Sequence, residues 1–184
     1  MLTQMMNRVP VLVKSIVDRK LDATELLIQD HLKVESLFIQ IKFLNQVAPR
    51  IPSKRMELKK RREDLFEQIR NELEKHTAAE ESVFYPECEK HENLKAIINE
   101  SYEEHKQVKT LLKDMDGLSV DNETFVAKLT LLIENVSHHV NEEEEQLFPK
   151  VRNTLSHSKL EKLGGQMRTL MRTKKKSKKT SHAA

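Results

Sequence analysis

Apolar residues recur at alternating steps of three and four along four stretches of the chain, the period of helices that each bury one face. Leu27, His31, Val34, Phe38 and Ile41 form the first stripe. Asp22 or Thr24 is placed to cap that helix, with Glu25 in its first turn, and Pro49 and Pro52 to end it. A second helix begins near Ser53, is densely charged through Arg62 and turns Leu65, Ile69, Leu73 and Val83 inward. It is expected to stop at Tyr85-Pro86. The third starts near His91 or Asn93, with Leu94, Ile98, Ser101, His105, Val108, Leu112 and Met115 inward, and Gly117 breaks it. Asp121 or Asn122 caps the fourth, which carries Phe125, Leu129, Leu132 and Val136 and is expected to run to Phe148-Pro149. Ser156 or Ser158 then opens a short fifth helix through about Met171, weakened by Gly164-Gly165.

These elements predict an all-α fold, an antiparallel up-down four-helix bundle with a short extra C-terminal helix and a disordered basic tail. Residues 1–20 read as an N-terminal arm compatible with a short helix, 21–160 as the bundle, and 161–184 as the end of the last helix and a lysine-rich tail. That tail has too little apolar content to fold by itself.

Side by side, the helices show an internal repeat. Asp30-His31-x-x-Val34-x-x-Leu37 matches Glu104-His105-x-x-Val108-x-x-Leu111. His76-x-x-x-Glu80-Glu81 followed by Tyr85-Pro86 matches His139-x-x-x-Glu143-Glu144 followed by Phe148-Pro149. Two helical hairpins, each with one lone histidine and one His-x-x-x-Glu step, make a pseudo-twofold bundle. Residues four apart share a helix face, so each His-x-x-x-Glu step turns both side chains into the core. Counted from the helix ends, His31 and His76 meet at a similar height, and His105 and His139 agree to within about one turn.

Any one histidine on an apolar face is ordinarily a hydrogen-bonded core residue. Four helices with one each, two of them adding a glutamate, are harder to explain without a cation. A metal-free core would have to desolvate four imidazoles and two carboxylates, at several kcal/mol each unless paired. Coordination relieves that cost, because neutral imidazole and ionised carboxylate are the states a metal requires. The candidate ligands are His31, His76, Glu80, His105, His139 and Glu143. Six donors are too many for one tetrahedral structural zinc and suit two metals. Mixed nitrogen and oxygen donors with open positions fit redox iron better than manganese or zinc.

Composition narrows the picture further. A single cysteine excludes an internal disulfide or a multi-thiolate metal site, and with it the default compartment is the reducing cytoplasm. No apolar run approaches the roughly 20 residues that span a membrane, and the Val9–Val13 stretch is too short for the core of a secretion signal. The net charge of +3 comes from Lys174, Lys175, Lys176, Lys178 and Lys179; without those five lysines it is −2. A folded part so near neutrality argues against a broad nucleic-acid surface. The tail itself reads as a solubilising segment.

The ordered pattern His31, His76-x-x-x-Glu80-Glu81-x-x-Phe84-Tyr85-Pro86, His105, His139-x-x-x-Glu143-Glu144 with Leu147-Phe148-Pro149 is similar to the hemerythrin-like, or HHE cation-binding, domain family. The resemblance covers roughly residues 22 to 160. It implies a four-helix bundle around a non-haem di-iron centre, with His31, His76, His105 and His139 as terminal ligands and Glu80 and Glu143 as bridging carboxylates. Glu144 is the alternative to Glu143 if the helix drifts by one residue. Oxygen-carrying members add a fifth histidine one turn after the third-helix ligand, where this chain has Lys109. The iron-sulfur-repair members add an N-terminal cysteine-bearing module that nothing here matches. The resemblance implies two non-haem iron ions and binding or sensing of O2 or another small diatomic ligand. The alternatives are a redox enzyme acting on peroxide or nitric oxide, and an iron-buffering or iron-delivery protein. Tyr102, three residues before His105, is placed to reach the centre or to lie on the surface, whereas Tyr85 and Phe148 read as packing beside their prolines. His138 is expected outside the site, Cys88 as an ordinary thiol, and Glu142, Glu144 and Glu145 as a solvated face.

Overall fold

The computed structural model describes residues 21–180, with side chains through Arg172; the expected arm at 1–20 and residues 181–184 lie outside the described residues. Four rods form the bundle. The first is α1 (Ala23–Val47). Its N-cap is Asp22, in a capping box with Glu25: the Asp22 carboxylate accepts from the Glu25 amide, and Glu25 accepts from the Asp22 amide. Two 3₁₀ turns that hold Pro49 and Pro52 lead to α2 (Arg55–Ala79).

The second rod does not end at its proline. A π turn, Glu80–Phe84, widens the helix, and α3 (Tyr85–Cys88) carries it on with Pro86 in its first turn. The Tyr85 amide reaches five residues back, to the Glu80 carbonyl. Shifting the register by one residue is how the rod accommodates a residue that has no amide hydrogen to donate. The fourth rod does the same: α5 (Glu123–Glu142), a π turn (Glu143–Leu147) in which the Phe148 amide bonds the Glu143 carbonyl, then α6 (Phe148–Thr154). Between them runs α4 (Glu92–Asp114). The 115–122 connection turns at Gly117, whose φ is +73°, a left-handed conformation suited to glycine. Asn122 caps α5 through the Thr124 amide.

The last helix, α7 (His157–Thr180), is longer than the segment expected to stop near Met171. Once docked it needs no new nucleus, and lysine propagates a helix well. Leu160, Leu163 and Met167 pack with Ala23, Leu27, Phe148 and Val151, so α7 closes one end of the bundle. Gly164 serves that docking: a Cβ there would lie 2.8 Å from the Leu21 carbonyl oxygen and the Asp22 carbonyl carbon. Nothing stands within 4 Å of a Cβ at Gly165.

Two apolar clusters divide the interior. One runs from Val34 and Leu73 toward the loops at 48–54 and 115–122, and the other joins the opposite rod ends to α7. The six candidate residues lie in the layer between. Buried Arg62 ties α2 to the 115–122 loop, donating to the Val120 carbonyl at 3.1 Å and pairing with Asp121. No strand occurs among the described residues, and no described helix is long and apolar enough to cross a membrane.

Candidate metal centre

All six residues singled out by the spacing converge. His31, His76, Glu80, His105, His139 and Glu143 are at most 5% exposed and face one another across the bundle axis. The histidines form two pairs: His31 Nε2 stands 3.2 Å from His76 Nε2, and His105 Nε2 stands 3.1 Å from His139 Nε2. The second pair, expected to agree to within about one turn, meets as closely as the first. Each carboxylate spans both pairs. Glu80 Oε2 lies 3.1 Å from His76 Nε2 and 3.3 Å from His105 Nε2. Glu143 Oε2 lies 3.3 Å from His31 Nε2 and 3.7 Å from His139 Nε2. Two donor groups result, His31–His76–Glu80–Glu143 and Glu80–His105–His139, with Glu80 common to both.

Behind the imidazoles stands a ring of carboxylates. His31 Nδ1 donates to Glu144 at 2.9 Å, His105 Nδ1 to Glu81 at 2.9 Å, and His139 Nδ1 to Glu104 at 2.7 Å. Asp30 stands 4.0 Å from His76 Nδ1. A carboxylate that accepts at Nδ1 places the proton there and leaves the Nε2 lone pair pointing inward, as a metal-binding histidine requires. The pattern follows the repeat: the acid after each inner glutamate serves a histidine of the other hairpin, and the acid before each lone histidine faces the histidine of its own. Glu144 therefore serves the outer side of His31, and Glu143 is the inward residue.

The cage carries buried polar atoms without hydrogen-bond partners. Glu80 Oε1 and Oε2, Glu143 Oε2 and His76 Nδ1 are buried with no hydrogen-bond partner. Each such atom costs about 1–3 kcal/mol. Burial, and then the charge on Glu143, push the Glu80 carboxyl up to about 8. Burial acts the same way on Glu143, but the charges and hydrogen bonds of His139 and His31 outweigh it and hold that carboxyl well below the ordinary range. Burial would lower His31, yet its bonds to Glu143 and Glu144 raise it to about 10, whereas burial prevails at His105 and lowers it. The protons that remain are those a cation would displace. Four inward-facing nitrogens, two shared carboxylates and unpaired oxygens between them fit a pair of cations.

Among the remaining residues, Tyr85 departs from its expected place. Tyr85 is fully buried; its hydroxyl donates to Glu143 Oε1 at 2.8 Å and lies 3.4 Å from His105 Nε2. Burial and the neighbouring carboxylates raise its pKa well above the ordinary value. Tyr102 stays half-buried behind it, edge-on at 5.2 Å. The repeat carries the signal for Tyr85, since its counterpart Phe148 stacks on His31 at 5.9 Å while Tyr85 lies over His105 at 5.4 Å. Lys109 turns outward, pairing with Glu81 at 2.5 and 2.6 Å. His138 is 67% exposed, outside the cage as expected. Burial pushes the Cys88 thiol up to about 12, consistent with an inert core residue.

Fold and site together define a helix-bundle protein with a buried histidine–carboxylate cage. Residues 22–151 match the family model of the hemerythrin HHE cation binding domain, and the chain belongs to that family of metal-binding domains. It is 30% identical over 149 residues to a DNA nickase of Nostoc sp. (strain PCC 7120), covering 81% of this chain and 40% of that protein. An uncharacterized hemerythrin-like protein of Schizosaccharomyces pombe is 32% identical over 87 residues, 46% of this chain and 43% of its own. The chain thus spans less than half the length of these curated relatives. The fold resembles the crystal structure of an HHE cation binding domain-containing protein, the Rv2633c homolog from Mycobacterium kansasii, with a TM-score of 0.67 at 22% identity over 85% of this chain and 89% of that one.

Proposed function

We propose that the chain holds two iron ions through His31, His76, Glu80, His105, His139 and Glu143, and binds or senses O2 or nitric oxide at that centre. The observation that carries this reading is the double span of the carboxylates, Glu80 from His76 to His105 and Glu143 from His31 to His139. A single structural cation would need neither span. Iron is favoured over zinc because the donors exceed a tetrahedral set, and over manganese because four of the six are imidazoles.

Bound iron would supply reversible one-electron chemistry toward a small diatomic ligand. The chain's own residues prepare its surroundings. Glu144, Glu81 and Glu104 orient three imidazoles through Nδ1 and raise their basicity. Tyr85 fixes the rotamer of Glu143 and keeps a hydroxyl proton at Oη beside His105. Val34, Leu73, Val108, Val136 and Val140 line the space beside the four imidazoles and exclude bulk water.

The test is anaerobic loading with ferrous iron, followed by an absorption spectrum as oxygen and then nitric oxide are admitted. A new visible band that disappears on removing the gas is the expected result. A band that forms irreversibly, with steady consumption of peroxide or nitric oxide, would replace this reading by a redox enzyme. Loaded iron indifferent to both gases would replace it by iron buffering. The activity in the name of the Nostoc relative belongs to a protein of which this chain spans 40%.

A further inference from the structure

The seam between α2 and α4 is bridged by polar side chains at its ends. At one end Arg70 of α2 donates to the Leu112 carbonyl at 3.2 Å and pairs with Asp116 at 2.7 Å. At the other, Glu81 bonds Lys109 and His105. Between these latches lies an outer groove of about 470 Å³, lined by Leu73, Thr77, Ala78 and Val108 among others. Directly inside it is a second space, about 20 Å³, bounded by the four histidines and by Leu73, Thr77, Val108, Val136 and Val140. Leu73, Thr77 and Val108 line both spaces. One layer of side chains separates the groove from the imidazoles.

The inner space matches one water-sized molecule, since about 10–15 Å³ of such room holds a single water. Apart from the imidazoles and Thr77 its lining is aliphatic, which disfavours an ion. At the groove mouth Glu81 and Lys109 neutralise each other, and the Glu74 carboxylate also lines the groove. Within the wall, Thr77 has a choice that Val108 lacks: a helical threonine divides between two χ1 rotamers, while a valine keeps one.

We propose that uncharged diatomic molecules reach the cage through the α2–α4 seam, passing between Thr77 and Val108, with the 20 Å³ space as their docking position beside the histidines. The passage rests on the small-ligand function above and selects by size and charge. Ala78 lines the groove without lining the inner space, so Ala78→Trp obstructs the entrance and leaves the cage wall intact. Ser82 is exposed on the same groove, so Ser82→Trp provides a second obstruction that folding tolerates.

Stopped-flow mixing of ferrous-loaded protein with nitric oxide or oxygen is expected to show association slowed about tenfold in Ala78→Trp. Metal count and end-point spectrum should stay those of the wild type. In zinc-loaded, diamagnetic protein, dissolved oxygen should broaden the methyl resonances of Leu73, Thr77 and Val108 more than those of Leu129 and Leu132, which are buried away from the groove. Wild-type rates in both tryptophan variants, or equal broadening of the two methyl sets, would overturn the passage alone. Loaded wild-type protein that responds to neither gas would overturn the small-ligand function, and the passage with it.

Discussion

The two hairpins of the bundle carry the same pattern and use it differently at three places. In the α1–α2 half, His31 lies under the ring of Phe148; in the α4–α5 half, His105 lies under Tyr85, whose hydroxyl binds Glu143. Four residues past each lone histidine, the first half has Glu35 and the second Lys109. What the repeat keeps in common, the imidazoles, the inner glutamates and an acid beside each, builds one buried histidine–carboxylate cage. What it lets differ is hydrogen bonding and charge around the histidines, including Asp30 at 4.0 Å from His76 where Glu104 bonds His139 at 2.7 Å. Under the proposed function, retention and reactivity fall to separate residues: both halves hold metal, while the second sets a hydroxyl and a lysine around its histidine pair.

The strongest way to break the comparison is to remove what the halves share. Glu80→Ala or Glu143→Ala takes a donor from both histidine pairs at once, so metal content should fall from two ions to one or fewer per chain. His76→Ala touches one pair and should leave the other loaded. Metal analysis after equilibrium dialysis, with circular dichroism to verify a helical bundle, reads both. Full retention in all three variants would remove the ligand assignment.

Next in size is a pH effect. Glu80 is raised from an ordinary 4.5 to about 8 and His31 from 6.5 to about 10, so the folded metal-free protein holds protons that the unfolded chain has released. Through these two groups its stability declines as pH rises, for Glu80 across 4.5 to 8 and for His31 across 6.5 to 10, whereas the lowered Glu143 and His105 act in the opposite sense toward acid. The slope is on the order of 1 kcal/mol per pH unit for each group. A bound cation requires both deprotonated, so it binds more tightly over the same interval. The gap in thermal midpoint between loaded and metal-free protein should widen from pH 6 to pH 8.5. A gap that narrows would contradict the charge assignment.

Smaller effects sharpen the asymmetry itself. Tyr85→Phe makes the second half resemble the first, costs about 1–2 kcal/mol through the lost bond to Glu143, and should alter the spectrum of the loaded centre without changing metal count. Denaturant melts and absorption spectra check it. Lys109→His is expected to do least. Position 109 faces Glu81 and the outer groove, so a histidine there should leave both count and spectrum close to wild type. A shifted visible band in that variant would show that the side chain can turn inward.

Much of this was legible in the chain. The stripes place every buried histidine and inner glutamate, because the 3.6-residue period leaves little choice of face once Leu27, Val34 and Phe38 are inside. The proline rule misled at Pro86 and Pro149: proline forbids the ordinary register, yet a π turn restores a continuous rod at the position where the inner glutamates stand. The outer acids were visible as neighbours, Asp30-His31 and Glu80-Glu81, but periodicity cannot show which imidazole each one reaches across the bundle. Tyr85 was hidden for the same reason, since its hydroxyl meets Glu143 from a different rod. Gly164 looked like a weak point because a sequence shows its helix cost and not the Leu21–Asp22 backbone packed against it.

The central claim is that six side chains hold two cations by sharing two carboxylates. The direct test is an anaerobic equilibrium titration of the wild-type chain with ferrous iron at pH 7.5, with bound iron counted per chain. Two tightly held ions, the second reduced or lost in Glu143→Ala, is the result predicted here. Saturation at one ion, or two ions retained unchanged in Glu143→Ala, would contradict it.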